Sequence, residues 1–165
     1  MPNGGDMSNL SGLGKIDKAI LRELQKEGRI TYSELAKRVG LSTSPCLERV
    51  KKMEREGIIQ GYTALLNPHY LDAGLVVFVQ IRLKRSSQDI FEEFKHSAIG
   101  LDEVQECYLV SGNFDYLIKA RVPDMDAYRK FLGSTLLTLP GVQESTSYVV
   151  MEQVKETMNI SIPDK

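Results

Sequence analysis

Ser42, Thr43 and Ser44 head a stretch in which Arg49, Lys51, Lys52 and Arg55 follow within a few helical turns. Small hydroxyls approach the edges of bases, and cations behind them reach phosphates, so this residue set suits a helix lying in the major groove of double-stranded DNA. Cys46, Val50 and Met53 recur at i, i+4 and i+7 in the same stretch and are expected to face inward. The remaining surface then carries Ser44, Glu48, Arg49, Lys51, Lys52 and Arg55. The bland alternative uses the same residues: a solvated basic helix in which Arg49 and Lys52 pair with Glu48 or Glu56.

Little else in the chain points to chemistry. His69 and His96 are the only histidines, and no Ser-His-Asp, Cys-His or paired-carboxylate constellation supports an enzyme. With no CxxC or HxxxH pattern, a structural zinc site is not expected, nor any other metal or cofactor. The two cysteines are too few for a disulfide framework. Cys46 and Cys107 read as buried, inert thiols.

The elements around the basic stretch read as a helix-turn-helix. Thr31 and Glu34 have capping-box spacing, so a helix starts there with Leu35, Ala36 and Val39 on its apolar face. Gly40 suits the left-handed residue that ends it. Ser42 is the expected cap of the next helix, with Ser44 the alternative, and Pro45 falls in its first turn under either choice. Upstream, Ile16, Ile20, Leu21 and Leu24 form a helical stripe from Lys15 to Glu27. Downstream of Gly57, β-branched and aromatic residues suggest a strand or wing, until Asn67-Pro68-His69 breaks the pattern.

The chain has 165 residues, 42% hydrophobic and 26% charged, as ordinary globular domains do. Residues 1–60 carry 11 Lys+Arg against 8 Asp+Glu, a net of +3, and residues 61–165 carry 10 against 14, a net of −4. A basic front and an acidic back suggest a polyanion-binding domain joined to something else. The longest apolar run, Leu75–Val79, is far too short to span a bilayer. The glycine-rich, polar N-terminus has no apolar secretory core, so a cytoplasmic location is expected, with residues 1–14 a mobile tail.

The second half alternates. Strands are expected at Leu75–Leu83, Glu103–Val110, Asp115–Arg121 and Val142–Met151. Helices are expected at Ser87–Ala98, from an Asp124 cap to about Leu137, and over Glu152–Met158. The order β-α-β-β-α-β is the split βαβ arrangement: four antiparallel strands with two helices on one face. The other sheet face is left for a partner chain. Gly112-Asn113 between two strands reads as an ordinary hairpin turn, since both residues tolerate positive φ.

Five segments carry a resemblance to a known family. They are IDKAILRELQKEGRI (Ile16–Ile30), ELAKRVGLS (Glu34–Ser42), PCLERVKKMEREGIIQGYTALLNPHYL (Pro45–Leu71), ECYLVSGNFDYLIKARVPDM (Glu106–Met125) and LPGVQESTSYVVME (Leu139–Glu152). Over residues 14 to 160 the chain resembles the Lrp/AsnC (feast/famine) family of transcription regulators. The resemblance implies an α+β chain. A winged helix-turn-helix DNA-binding domain would occupy residues 15–61, a hinge strand and linker 62–72, and a ferredoxin-like βαββαβ effector and oligomerisation domain 73–165.

It also implies homodimers pairing through their sheets and assembling further, commonly into octamers. An amino-acid effector, typically leucine, would bind between effector domains. The protein would be cytoplasmic and nucleoid-associated. Carried onto this sequence, the DNA-facing residues are Ser42, Thr43, Ser44, Arg49 and Lys52, with Arg38 and Lys51 on phosphates. Cys46 is left out because it falls where the family has a buried aliphatic residue. The effector residues are Leu109, Gly112, Asn113 and Asp115, with Met125, Leu137, Tyr148, Val149 and Val150 as the apolar side.

Turn amides at Gly112–Asp115 suit an amino acid's carboxylate, and Asp115 suits its ammonium group, or else a cross-strand cation. Asn113 departs from the family's usual aspartate, and Met53 from a usual leucine. A nucleoid-structuring, DNA-wrapping protein with little effector response is the alternative that shares the helix-turn-helix and differs at Gly112–Asp115.

Overall fold

The computed structural model describes residues 12–84 and 89–163. The chain divides into two compact units, one of residues 12–65 with 156–163 and one of residues 66–155.

The first unit packs three helices: α1 (Lys15–Lys26), α2 (Tyr32–Val39) and α3 (Thr43–Arg55). Their starts and stops are written locally. The Thr31 hydroxyl accepts from the Glu34 amide at 3.2 Å, satisfying one of the orphan donors of α2. Gly40 closes α2 at φ 73°, a left-handed conformation that costs a Cβ-bearing residue energy. Ser42 is the cap position of α3 and Pro45 lies in its first turn, where its missing amide proton is not needed. Ile20, Leu35, Ala36, Cys46, Val50 and Met53 form the buried core, with Ile16, Leu21, Leu24 and Val39 packed against it. Each fully buried aliphatic side chain there contributes about 1.5–3 kcal/mol.

Residues 58–66 do not form the expected strand. The Ile58 and Ile59 amides are spent on the Met53 carbonyl at the end of α3, at 2.9 and 3.2 Å, and among the described residues no strand lies beside 60–66; Leu65 and Leu66 are left exposed. The helix expected over Glu152–Met158 is also absent. Met151, Val154 and Met158 are all exposed, so no buried apolar face offsets the cost of helix nucleation. Further on, Gln25 of α1 holds the Ile160 backbone through both its amide N–H and its carbonyl, at 2.6 and 3.0 Å.

The second unit is an antiparallel sheet in the order β2-β3-β1-β4, from β1 (Leu75–Leu83), β2 (Val104–Leu109), β3 (Tyr116–Val122) and β4 (Val142–Val149). This is the expected ferredoxin-like order. Period-2 alternation turns Val77, Val79, Ile81 and Leu83 of β1 and Tyr116, Ile118, Ala120 and Val122 of β3 to one face. There they pack on Phe94 and Ala98 of α4 (Ile90–Ile99), Tyr128 and Phe131 of α5 (Met125–Ser134), and Leu136. Phe94 and Tyr116 stack with centroids 4.6 Å apart, and the Tyr128 hydroxyl bonds the Ser147 hydroxyl.

The start expected for α4, Ser87, lies outside the described residues. Asp124 caps α5 through the Ala127 amide at 2.8 Å. The helix stops at Ser134 rather than near Leu137, because Gly133, Ser134 and Thr135 are poor helix formers; a 3-10 turn, Leu136–Thr138, follows. Tyr108 and Tyr148, on the sheet face away from the helices, are half exposed.

Candidate functional site

The outer surface of α3 is open to solvent. Ser42, Thr43, Ser44, Arg49, Lys51 and Lys52 are all exposed, while Cys46, Val50 and Met53 are buried. The Ser42 hydroxyl makes no cap bond. The Thr43 and Ser44 amides therefore have no cap from the Ser42 side chain, and the positive end of the helix dipole beside them suits an anion.

The cations on this unit differ in how they are held. Lys52 reaches Glu56 at 3.8 Å, the expected i,i+4 pair. Arg49 does not pair with Glu48. It donates to Asp17 of α1 at 2.8 Å, and the other oxygen of Asp17 accepts the Gly14 amide at 3.2 Å, capping α1. Arg38 lies among three carboxylates, Glu23, Glu27 and Glu34, each at 3.2 Å. Hydrogen bonds from Lys26 and Arg38 hold the Glu23 carboxyl below its usual pKa, and the bonds Arg38 donates, first to Glu23 and then to Glu34, raise its own pKa. Arg38 is thus committed to joining α1 to α2.

In the second unit, β2 and β3 are joined through residues 110–115. Val110 donates to the Asp115 carbonyl at 2.9 Å, closing the turn. Gly112 sits at φ 149°, a conformation L side chains rarely adopt. Among the described residues, the backbone amides of 111–114 donate to no group. Asp115 accepts from the Leu83 amide at 2.8 Å and donates its own amide to Ile81 at 2.9 Å. Its carboxylate is therefore partly spent on the strand end. Arg82, Leu83, Gly112, Asn113, Asp115 and Gln143 line a cleft of about 350 Å³.

The effector residues separate into two groups. Leu109 and Gly112–Asp115 lie at the Leu83 end of β1, since Leu109 pairs with Tyr116 and Tyr116 with Ile81. Leu137 belongs to the same end, two residues before Leu139, whose carbonyl accepts from Val142, itself paired with Leu83. Val149 pairs with Val77 and Val150 donates to Val76, at the other end. Met125 follows Val122, which pairs with Leu75, and lies there too. Six residues of strand, ~20 Å at about 3.3 Å per residue, separate the groups. Tyr148 points to the helix-free sheet face while Val149 points to the opposite one. One chain does not bring these residues together. Leu109, Met125, Leu137, Tyr148 and Val149 are all more than a third exposed, so their apolar area is uncovered.

The chain matches two family descriptions: a winged helix-turn-helix DNA-binding domain over residues 13–60 and the Lrp/AsnC ligand binding domain over residues 76–160. The chain belongs to the Lrp/AsnC family. It is a helix-turn-helix transcription regulator whose second domain is the family's ligand-binding domain. Leucine-responsive regulatory proteins of Klebsiella pneumoniae and Escherichia coli K12 are each 63% identical to it over 150 residues, 91% of this chain and 92% of theirs. A Neisseria meningitidis transcriptional regulator crystallised with L-Met superposes with a TM-score of 0.87 at 40% identity, covering 90% of this chain and 96% of that one. A feast or famine regulatory protein of Mycobacterium tuberculosis, complexed with L-methionine, gives 0.79 at 33% identity, covering 92% and 99%. The winged helix-turn-helix is thus shown by family, although residues 58–66 form no ladder among the described residues.

Three residues escaped the sequence reading: Asp17, Arg82 and Gln143. Asp17 is legible only as an acidic residue in a first helical turn. The cleft-lining pair carries no local signal. The thiols of Cys46 and Cys107 are pushed up by burial and are not poised as nucleophiles. Among the described residues, no cluster of three potential metal ligands exists and no helix is long and apolar enough to cross a membrane.

Proposed function

We propose that this regulator reads double-stranded DNA through the exposed face of α3 and responds to an amino acid, leucine, whose carboxylate docks on the Gly112–Asp115 turn. The observation that carries the ligand half is the run of unspent backbone amides at residues 111–114 beside the cleft. Successive amides in a turn form a concave anion site. Leucine and the methionine held by the two relatives share a medium-sized apolar side chain and the same ammonium and carboxylate groups. For DNA, the exposed hydroxyls of Ser42, Thr43 and Ser44 meet base edges, Arg49 and Lys52 reach the groove, and Lys51 meets phosphate.

The protein acts as a homo-oligomer. Copies pair through the helix-free sheet faces bearing Tyr108 and Tyr148, and the dimers assemble into an octamer. Assembly supports the reading because it supplies what one chain lacks: Leu109 and Gly112–Asp115 of one copy meet Met125, Tyr148, Val149 and Val150 of another. Residues 62–66 gain a strand partner in the same way. The effector alters DNA binding through its differential affinity for two assembly states, and a coupling of about 1–3 kcal/mol is sufficient. The protein works in the cytoplasm, on the nucleoid.

A DNA-wrapping protein with little effector response is the competing reading, and Asn113, where the family usually has aspartate, is the residue that favours it. Calorimetric titration with a panel of amino acids separates them. Leucine gives a saturable heat if the regulator reading holds, and no amino acid does if it fails.

A further inference from the structure

Arg82 of β1 joins the β2–β3 turn to β4 on the helix-free face of the sheet. From β1 its Nε and Nη2 donate to the Asn113 carbonyl at 3.1 and 2.7 Å. Its Nη1 faces the Glu144 carboxylate on β4 at 3.1 Å, and Arg82 and Glu144 are register partners. The guanidinium thus forks onto the ligand turn with one edge and is anchored to the far strand with the other. Asn113 neighbours Gly112, the residue held at φ 149°, and the amides of 111–114 gain no bond that fixes them. The turn is closed at its base by Val110 and Asp115. Above that base, Arg82 is, among the described residues, the side chain that bonds its backbone.

We propose that Arg82 is a positioning residue of the amino-acid site, which holds the Asn113–Phe114 peptide through the Asn113 carbonyl and so fixes the turn with its amides toward the cleft; this rests on the reading of that turn as the ligand site. A guanidinium suits the task because its planar fork fixes direction as well as distance, whereas an ammonium delivers charge without direction. Each of its three guanidinium nitrogens has a protein partner, and the role assigned to Arg82 is exerted through the turn. Pre-organisation of this kind raises affinity by lowering what is lost when a flexible loop becomes ordered on binding.

The test is leucine titration of the full-length oligomer, by calorimetry, for wild type, Arg82→Ala, Arg82→Lys and Glu144→Gln. Backbone amide exchange at residues 111–114 and DNA affinity are read in parallel. Arg82→Ala is expected to weaken leucine about ten-fold and to speed exchange at 111–114, with DNA affinity in the absence of leucine unchanged. Arg82→Lys keeps the charge, loses the fork, and is expected to remain at least several-fold weaker than wild type. Glu144→Gln, which leaves the turn contact in place, keeps the fold and loses about two- to three-fold. Wild-type affinity in Arg82→Ala overturns the proposal. So does full rescue by lysine, which would make charge and not the brace the cause. A wild type that binds no amino acid overturns the ligand reading itself and this proposal with it.

Discussion

Arg49 of α3 and Asp17 of α1 are joined at 2.8 Å across 32 residues of sequence. The carboxylate is largely sheltered while the guanidinium is nearly half exposed. Such a pair is worth under about 1 kcal/mol, so a phosphate or base edge can displace Asp17 at small cost. Until then the pair holds Arg49 on the surface proposed to meet DNA. Replacing Arg49 with alanine is expected to weaken operator binding about ten-fold and to lower the slope of log affinity against log salt by about one, with oligomer mass unchanged. Unchanged affinity across a salt titration measured by fluorescence anisotropy removes Arg49 from the DNA surface.

Arg38 makes the contrasting case. Because Glu23, Glu27 and Glu34 surround it, Arg38→Ala is expected to lower the melting temperature of the DNA-binding domain while leaving the salt slope of DNA binding in place. A slope lowered by about one would return Arg38 to the phosphate contacts.

The same cluster sets a pH dependence. The folded-state pKa of Glu23 is depressed below 4.5 by its bonds to Lys26 and Arg38. Its contribution is therefore present above the unfolded value and is lost as pH falls through the folded one. Thermal melts from pH 6 downward are expected to show the DNA-binding domain losing stability below about pH 4.5, with a shallower loss in Glu23→Gln. Parallel curves for the two proteins count against the cluster as a source of stability.

Much of this architecture is legible locally. Thr31 and Glu34, Gly40, Pro45 and the Cys46–Val50–Met53 stripe each announce a cap, a stop or a face within a few residues, and the structure keeps all of them. So do the alternating strands of the second half. What depends on distant partners is not legible. Nothing near Arg49 points to Asp17, and nothing near Arg82 points to Asn113. The strand expected after Gly57 has the right residue types but finds no neighbouring strand among the described residues. The helix expected over Glu152–Met158 has helix-forming residues and no surface to bury them against. The two halves of the effector set are written in one sequence, yet one sheet holds them apart.

Asp115 has one observed contact and one proposed role, and substitution separates them. Its carboxylate accepts the Leu83 amide, so Asp115→Ala leaves that donor unpaired and is expected to cost the effector domain about 1–3 kcal/mol in denaturant melts. Asp115→Asn keeps an acceptor but loses the charge. It is expected to fold as wild type, bind DNA normally and respond poorly to leucine. A wild-type response in Asp115→Asn takes Asp115 out of the ammonium site and leaves it as a strand clamp.

Gly141 tests the packing that shapes the same end of the sheet. At φ 74° it sits against Ile90, and an added Cβ would lie 2.3 Å from Ile90 Cγ1. Gly141→Ala is expected to destabilise the effector domain by more than about 1 kcal/mol, combining backbone strain with displacement of α4. A melting temperature equal to wild type contradicts this packing.

Amide hydrogen exchange on the protein, with operator DNA and with leucine added separately, tests the central claim most directly. DNA is expected to slow exchange across residues 42–55, and leucine across 109–115 and 148–150. Exchange at 42–55 that DNA leaves untouched, or slowing by leucine at neither end of the sheet, contradicts the account.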